Sequence, residues 1–186
     1  MLDTTVSRSQ QKTRNLVFMA FFTALIAIGA FIKVPIPVLP FTLQLFFTTM
    51  AGLLLGPALG SAAVWTYIAL GLIGLPIFTM GGGPGYIFQP TFGYLIGFAL
   101  GARITGILSK GEPTMKKLLA ANFAGLMVVY LCGMVYYYII GNFVINQPIA
   151  LWPLFLYCFI LAVPGDIALC ISAAFLGKKL IPLLRK

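Results

Sequence analysis

An all-α integral membrane bundle of about six transmembrane helices, with both termini cytoplasmic, is what this 186-residue sequence predicts. Three observations carry the prediction. The chain is 61% hydrophobic and 8% charged, with a mean hydropathy of +1.05, well outside the balance of an ordinary soluble domain. No charged residue occurs between Lys33 and Arg103, a run of 69 residues, nor between Lys117 and Asp166. A chain this short cannot hide such runs from water in a soluble core. The basic residues collect in an amino-terminal tail (Arg8, Lys12, Arg14), a central loop (Lys110, Lys116, Lys117) and a carboxyl-terminal tail (Lys178, Lys179, Arg185, Lys186). Clusters of that kind beside apolar spans mark cytoplasmic loops, so the net charge of +9 reads as membrane topology rather than nucleic-acid binding.

About 20 apolar residues cross the hydrocarbon core as a helix. The spans are predicted at 16–32, 41–55, 58–75, 91–108 and 118–140, followed by a last apolar region at 152–180. Breakers fall in the gaps: Pro35, Pro37 and Pro40 end the first span, Gly56-Pro57 separates the second from the third, Pro76 ends the third, and Pro113 precedes the fifth. Pro164-Gly165 lies inside the last apolar region. An Asp after Pro-Gly reads as a helix start, so the sixth helix is expected to begin near Asp166 after a shallow apolar segment; a start near Trp152 with a kink is the alternative. Residues 1–186 then form one transmembrane domain, with a basic cytoplasmic tail at 1–14 and the six-helix bundle at 15–182. Residues 7–32 share the basic-then-apolar pattern of a signal peptide, but the other spans would hold the chain in the membrane. With the amino terminus inside, 11 of the 12 basic residues fall on one side, and Lys33 alone is outside.

Small residues at four-residue spacing mark close helix contacts: Gly93, Gly97 and Gly101; Ala20 and Ala24; Gly52 and Gly56. Packing within the bundle is the plainest use of each. No histidine occurs, and the three cysteines show no metal-ligand or CxxC spacing, which leaves no metal site and removes the commonest general base. No cofactor is implied.

Asp166 is the carboxylate that neither a tail nor an aqueous loop accounts for, Asp3 and Glu112 being the other acids. An acid at membrane depth costs a few kcal/mol and faces a cavity, a partner or a ligand; capping the last helix is its structural alternative. The stretch MGGGPGYIFQP at 80–90 lacks the Gly-Lys-Ser/Thr ending of a nucleotide loop. Its glycines beside Tyr86 and Gln89 predict irregular backbone lining a cavity. Gln44, opening the second helix with Thr42 nearby, carries an amide too costly to face lipid. Trp65, Tyr67 and Tyr94 offer an aromatic wall, and Lys33 either pairs with a ligand carboxylate or reaches to the headgroups. A lipid-acting enzyme would need a nucleophile with a base or paired carboxylates; one intramembrane acid does not supply them. A channel would show a continuous polar stripe, whereas these polar residues gather in the outer half.

The segments LPFTLQLFFTTMAGLLLGPALG at 39–60, LGLIGLPIF at 70–78, QPTFGYLIGF at 89–98 and VPGDIALCISAAFLG at 163–177 together resemble BioY, the biotin-specific substrate-binding component of energy-coupling factor (ECF) transporters. The resemblance implies a prokaryotic plasma-membrane subunit that captures biotin from outside. Its implied partners are a transmembrane coupling protein and two cytoplasmic ATPases, and the whole subunit topples in the membrane during transport. It assigns Asp166 and Gln44 to the pocket and an AxxxA face, Ala20 and Ala24, to the coupling protein. One position departs: the resembled pattern continues PGD-x-x-Lys, and Leu169 stands there. A cationic role then passes to Lys33 as a hypothesis, and a related vitamin or sulfur-containing acid is the alternative ligand.

Overall fold

The computed structural model describes residues 8–34, 41–146 and 148–184. The predicted breakers Pro35, Pro37 and Pro40 lie outside the described residues. Helix α1 (Arg8–Phe31) leads into a two-residue antiparallel ribbon, β1 (Lys33–Val34) with β2 (Phe41–Thr42). Then come α2 (Gln44–Leu72), a 3₁₀ turn (Pro84–Phe88), α3 (Phe92–Leu108) and α4 (Met115–Phe143). A short α5 (Leu151–Phe155), a π turn (Leu156–Ile160) and α6 (Val163–Leu184) complete the chain. Four segments are long and apolar enough to cross a membrane, 8–31, 44–72, 115–143 and 151–184, and α3 is a shorter apolar helix. The architecture is an all-α membrane bundle.

α2 is not one straight rod. Gly56 sits at φ +80° and ψ −178° in its middle, followed by Pro57. Glycine alone reaches that backbone region without strain, and proline is suited to restart a helix because its first-turn N–H has no partner to lose. The chain reverses there. Gln44 Nε2 donates to the Tyr67 hydroxyl at 2.8 Å, although 23 residues of straight helix would span about 34 Å. A methyl at Gly60 would come within 2.6 Å of the Ala51 carbonyl oxygen, so the two arms, 44–55 and 57–72, touch near the bend. Gly56-Pro57 therefore separates two antiparallel arms, as the sequence predicts.

Helix α3 packs chiefly on α2 and α4, and its small residues permit that approach. A methyl at Gly97 would come within 2.8 Å of Val129 Cα, and one at Gly101 within 2.9 Å of the Gly125 carbonyl oxygen. The same holds between arms and neighbours: Gly106 lies against Pro57, and Gly52 against Ala102. The Gly93, Gly97 and Gly101 face is thus used inside the bundle. Three buried hydroxyls donate across helices, Thr23 to Ala63 O at 3.0 Å, Ser61 to Ala99 O at 2.8 Å and Thr105 to Ala121 O at 3.2 Å. Such pairs satisfy groups that lipid would leave bare.

The last helix corrects an expectation. α6 begins at Val163, not near Asp166, and the π turn joins it to α5. Pro164 falls in the first turn, where no donor is missed. The Asp166 N–H already bonds Ala162 O at 3.0 Å, so Asp166 is inside the helix and caps nothing. Another extension is at the amino end, where α1 begins at Arg8 and takes in every described residue of the basic tail.

Candidate ligand site

Two apolar clusters divide the core. One holds Phe22, Met50, Leu53, Leu118, Ala173 and Ile181. The other is rich in aromatics, among them Tyr67, Phe78, Tyr86, Phe92, Tyr94, Phe98 and Tyr130. The site opens within this second cluster. Its wall is made by Phe41, Thr42, Gln44, Leu45, Thr79, Tyr86, Thr91, Tyr94, Leu95, Phe98, Val129, Tyr130, Ala162 and Asp166, drawn from β2, α2, the glycine-rich loop, α3, α4 and α6.

Every polar wall residue but Thr91 is held by a second group. The Tyr130 hydroxyl donates to Asp166 Oδ2 at 2.5 Å, joining α4 to α6. Among the described residues only Tyr130 reaches this carboxylate. Phe159 packs edge-on against the Tyr130 ring at 4.9 Å and stacks on Phe155, so the π turn supports the pair from behind. Gln44 is fixed by Tyr67, whose hydroxyl in turn donates to Ile77 O at 3.0 Å and ties the hairpin to the following loop. Tyr94 donates to Cys158 O at 3.3 Å, and the Thr79 and Tyr86 hydroxyls share a bond of 3.0 Å. Thr91 differs: its buried hydroxyl has no partner among the described residues, although it lines the cavity.

The glycine-rich segment 80–90 does not bare its backbone to the site. Gly83 N–H bonds Gly71 O at 2.7 Å, Phe78 and Gly81 pair in a bridge, and Gly81 and Gly83 take positive φ. Gly82 lies against the Leu75 carbonyl with no room for a side chain. These close turns fold the loop onto the end of α2 and aim Tyr86 and Thr79 inward. What the glycines provide is compactness; the side chains provide the lining.

A cavity with few polar anchors and aromatic walls is the usual design for a small organic ligand. The BioY family model matches residues 4–186. The chain belongs to the BioY family. The probable biotin transporter BioY of Lysinibacillus sphaericus is 44% identical over 178 residues, covering 95% of this chain and 91% of that protein. The biotin transporter BioY of Thermotoga maritima is 43% identical over 121 residues, 64% of this chain and 72% of that one. A crystal structure of the S-component for biotin from an ECF-type ABC transporter superposes with a TM-score of 0.70 at 30% identity, covering 95% of this chain and 97% of that chain. These BioY relatives are transport proteins rather than enzymes.

In this chain Asp166, Gln44, Tyr86 and Tyr94 come together on one cavity wall. Lys33 lies outside the wall, exposed, and its Nζ donates to Thr79 O at 3.1 Å. Gln89 is exposed, its backbone spent on ending the 3₁₀ turn and starting α3. Trp65 is 45% exposed on the outer side of α2; the alternate, Tyr67 side of that arm faces in. Leu169 packs partly buried against the aromatic cluster and does not reach the cavity. Ala20 and Ala24 are both exposed along α1. Tyr130 and Thr91 join the site without having been singled out from sequence. A signal for Tyr130 existed, because a lone acid and a tyrosine both at membrane depth each need a partner.

Proposed function

We propose that this chain is the substrate-binding membrane subunit of an ECF-type biotin transporter. It captures biotin from outside and delivers it inward with a transmembrane coupling protein and two cytoplasmic ATPases. The single observation that carries the reading is the Asp166–Tyr130 pair, a carboxylate 9% exposed with its side chain on the wall of an aromatic cavity. A fused-ring ligand with two ureido N–H donors finds its acceptor there, and Leu95, Phe98 and Val129 supply apolar surface for the remainder.

Six crossings follow from counting the two arms of α2 separately, with α1, α3, α4 and α6. An even number puts both termini on one side, and the distribution of basic residues makes that side cytoplasmic. The plasma membrane of a prokaryote is the setting of this reading. Equilibrium binding of tritiated biotin to the purified chain tests it. Saturable binding, weakened at least tenfold by Asp166→Asn with the protein still folded, is the expected outcome; a folded chain that takes up no biotin would end the proposal.

A further inference from the structure

We propose that Phe159, which is not part of the cavity wall, is a positioning residue for ligand capture: carried by the π turn, it fixes the Tyr130 ring and, through Tyr130, the direction of the Asp166 carboxylate. This deepens the proposed function and rests on it.

The π turn (Leu156–Ile160) closes with the Leu161 N–H on Leu156 O at 3.1 Å, five residues back instead of the four of an α-helix. The Ala162 N–H goes to Phe159 O at 3.1 Å. Leu161 and Ala162 carry the N–H groups that would reach Cys158 O in a 3₁₀ or an α turn. With both spent elsewhere, the Cys158 carbonyl accepts from a side chain, the Tyr94 hydroxyl at 3.3 Å. Single π turns within helices are rare and often lie at functional sites, and this one is built against the cavity.

Its outer side, Ile160 with the flanking Phe155 and Leu161, is exposed, whereas Cys158 is fully buried and Phe159 is partly buried against the aromatic cluster. On the inner side the turn meets two tyrosines of the wall, Tyr94 through its hydroxyl and Tyr130 through its ring, edge-on to Phe159 at 4.9 Å. Phe159 also heads a backbone route to the carboxylate's own residue, since Phe159 O accepts from Ala162 N–H and Ala162 O accepts from Asp166 N–H at 3.0 Å. One residue outside the wall therefore braces both members of the Tyr130–Asp166 pair. A phenol aims a carboxylate only while its own ring is locked by packing, and the Phe159 ring supplies that lock.

A double-mutant cycle on the purified full chain, read by equilibrium binding of tritiated biotin, tests this. Phe159→Leu is expected to weaken biotin about fivefold or more, but less than about twofold once Tyr130→Phe has removed the hydroxyl that the ring aims. A loosened bundle would instead lose the same factor in both backgrounds. Coupling is reciprocal, so biotin should also slow amide hydrogen exchange across residues 156–162 of the unmodified chain, a measurement that needs no variant to fold. An unchanged affinity in Phe159→Leu, equal losses in the two backgrounds, or exchange at 156–162 indifferent to biotin each overturns the positioning role while leaving biotin capture intact. Failure of the unmodified chain to bind biotin overturns both.

Discussion

A carboxylate at membrane depth is costly until its oxygens find donors, which makes the Tyr130 hydroxyl at 2.5 Å the most consequential single group around Asp166. Removing it in Tyr130→Phe keeps the ring against Phe159 and takes away the described hydroxyl donor. The expected loss is about 1–3 kcal/mol in folding stability, since a buried acceptor is left unsatisfied, together with weaker biotin binding because Asp166 is free to turn. Thermal unfolding in detergent and equilibrium binding measure the two effects; a variant unchanged in both would show that the pair is incidental. At this scale the sequence was informative where a residue type is expensive. Asp166, Gln44, Tyr86 and Tyr94 stood out because an acid, an amide and phenols in an apolar chain need partners, and all four line the cavity. Trp65 and Gln89 stood out for the same reason and lie outside it, because composition does not say which side of a helix or turn faces inward. Thr91 was illegible, since a threonine hydroxyl is normally satisfied by its own helix, and the capping bond it would ordinarily make is missing here.

Among elements, the bend at Gly56 is the most demanding. Space is not the constraint there, because a methyl would meet nothing within 4 Å; the positive φ of 80° is. Gly56→Ala should therefore destabilise the bundle by about 1–3 kcal/mol through backbone strain alone. Gly60→Ala, at a position of ordinary φ, should destabilise it through collision with the Ala51 carbonyl at 2.6 Å. Detergent melting of the two variants separates the causes, because enlarging the residue at 56 further, to Leu, should add little, whereas Gly60→Leu should be far worse than Gly60→Ala. Equal sensitivity to side-chain size at both sites would refute the distinction. This bend was legible because Gly-Pro between two apolar runs has one simple meaning. The start of the last helix was not, since Pro164 looks the same at a helix start, in a first turn or at a kink, and nothing in LYCFI announces a π turn.

Over the whole molecule, lipid and a partner compete for the same apolar exterior, and exposure alone does not separate them. α1 exposes Val17, Ala20, Phe21, Ala24 and Ile28, while Phe22, Thr23 and Ile26 face the bundle. Within the exposed side, Ala20 and Ala24 form a low strip between larger neighbours, and a second helix can approach closely only over such a strip. The strip lies on α1, whereas the cavity wall is drawn from β2, α2, α3, α4, α6 and the loops between them. That separation makes the two roles independently breakable. Ala24→Trp should leave biotin affinity within about twofold of the parent, since surface changes away from a site rarely exceed ±0.5 kcal/mol, and should abolish both uptake in cells and copurification with the coupling protein. If uptake persists at the parental rate, α1 is a lipid-facing helix and the partner docks elsewhere; if binding falls together with uptake, the face and the cavity are mechanically one.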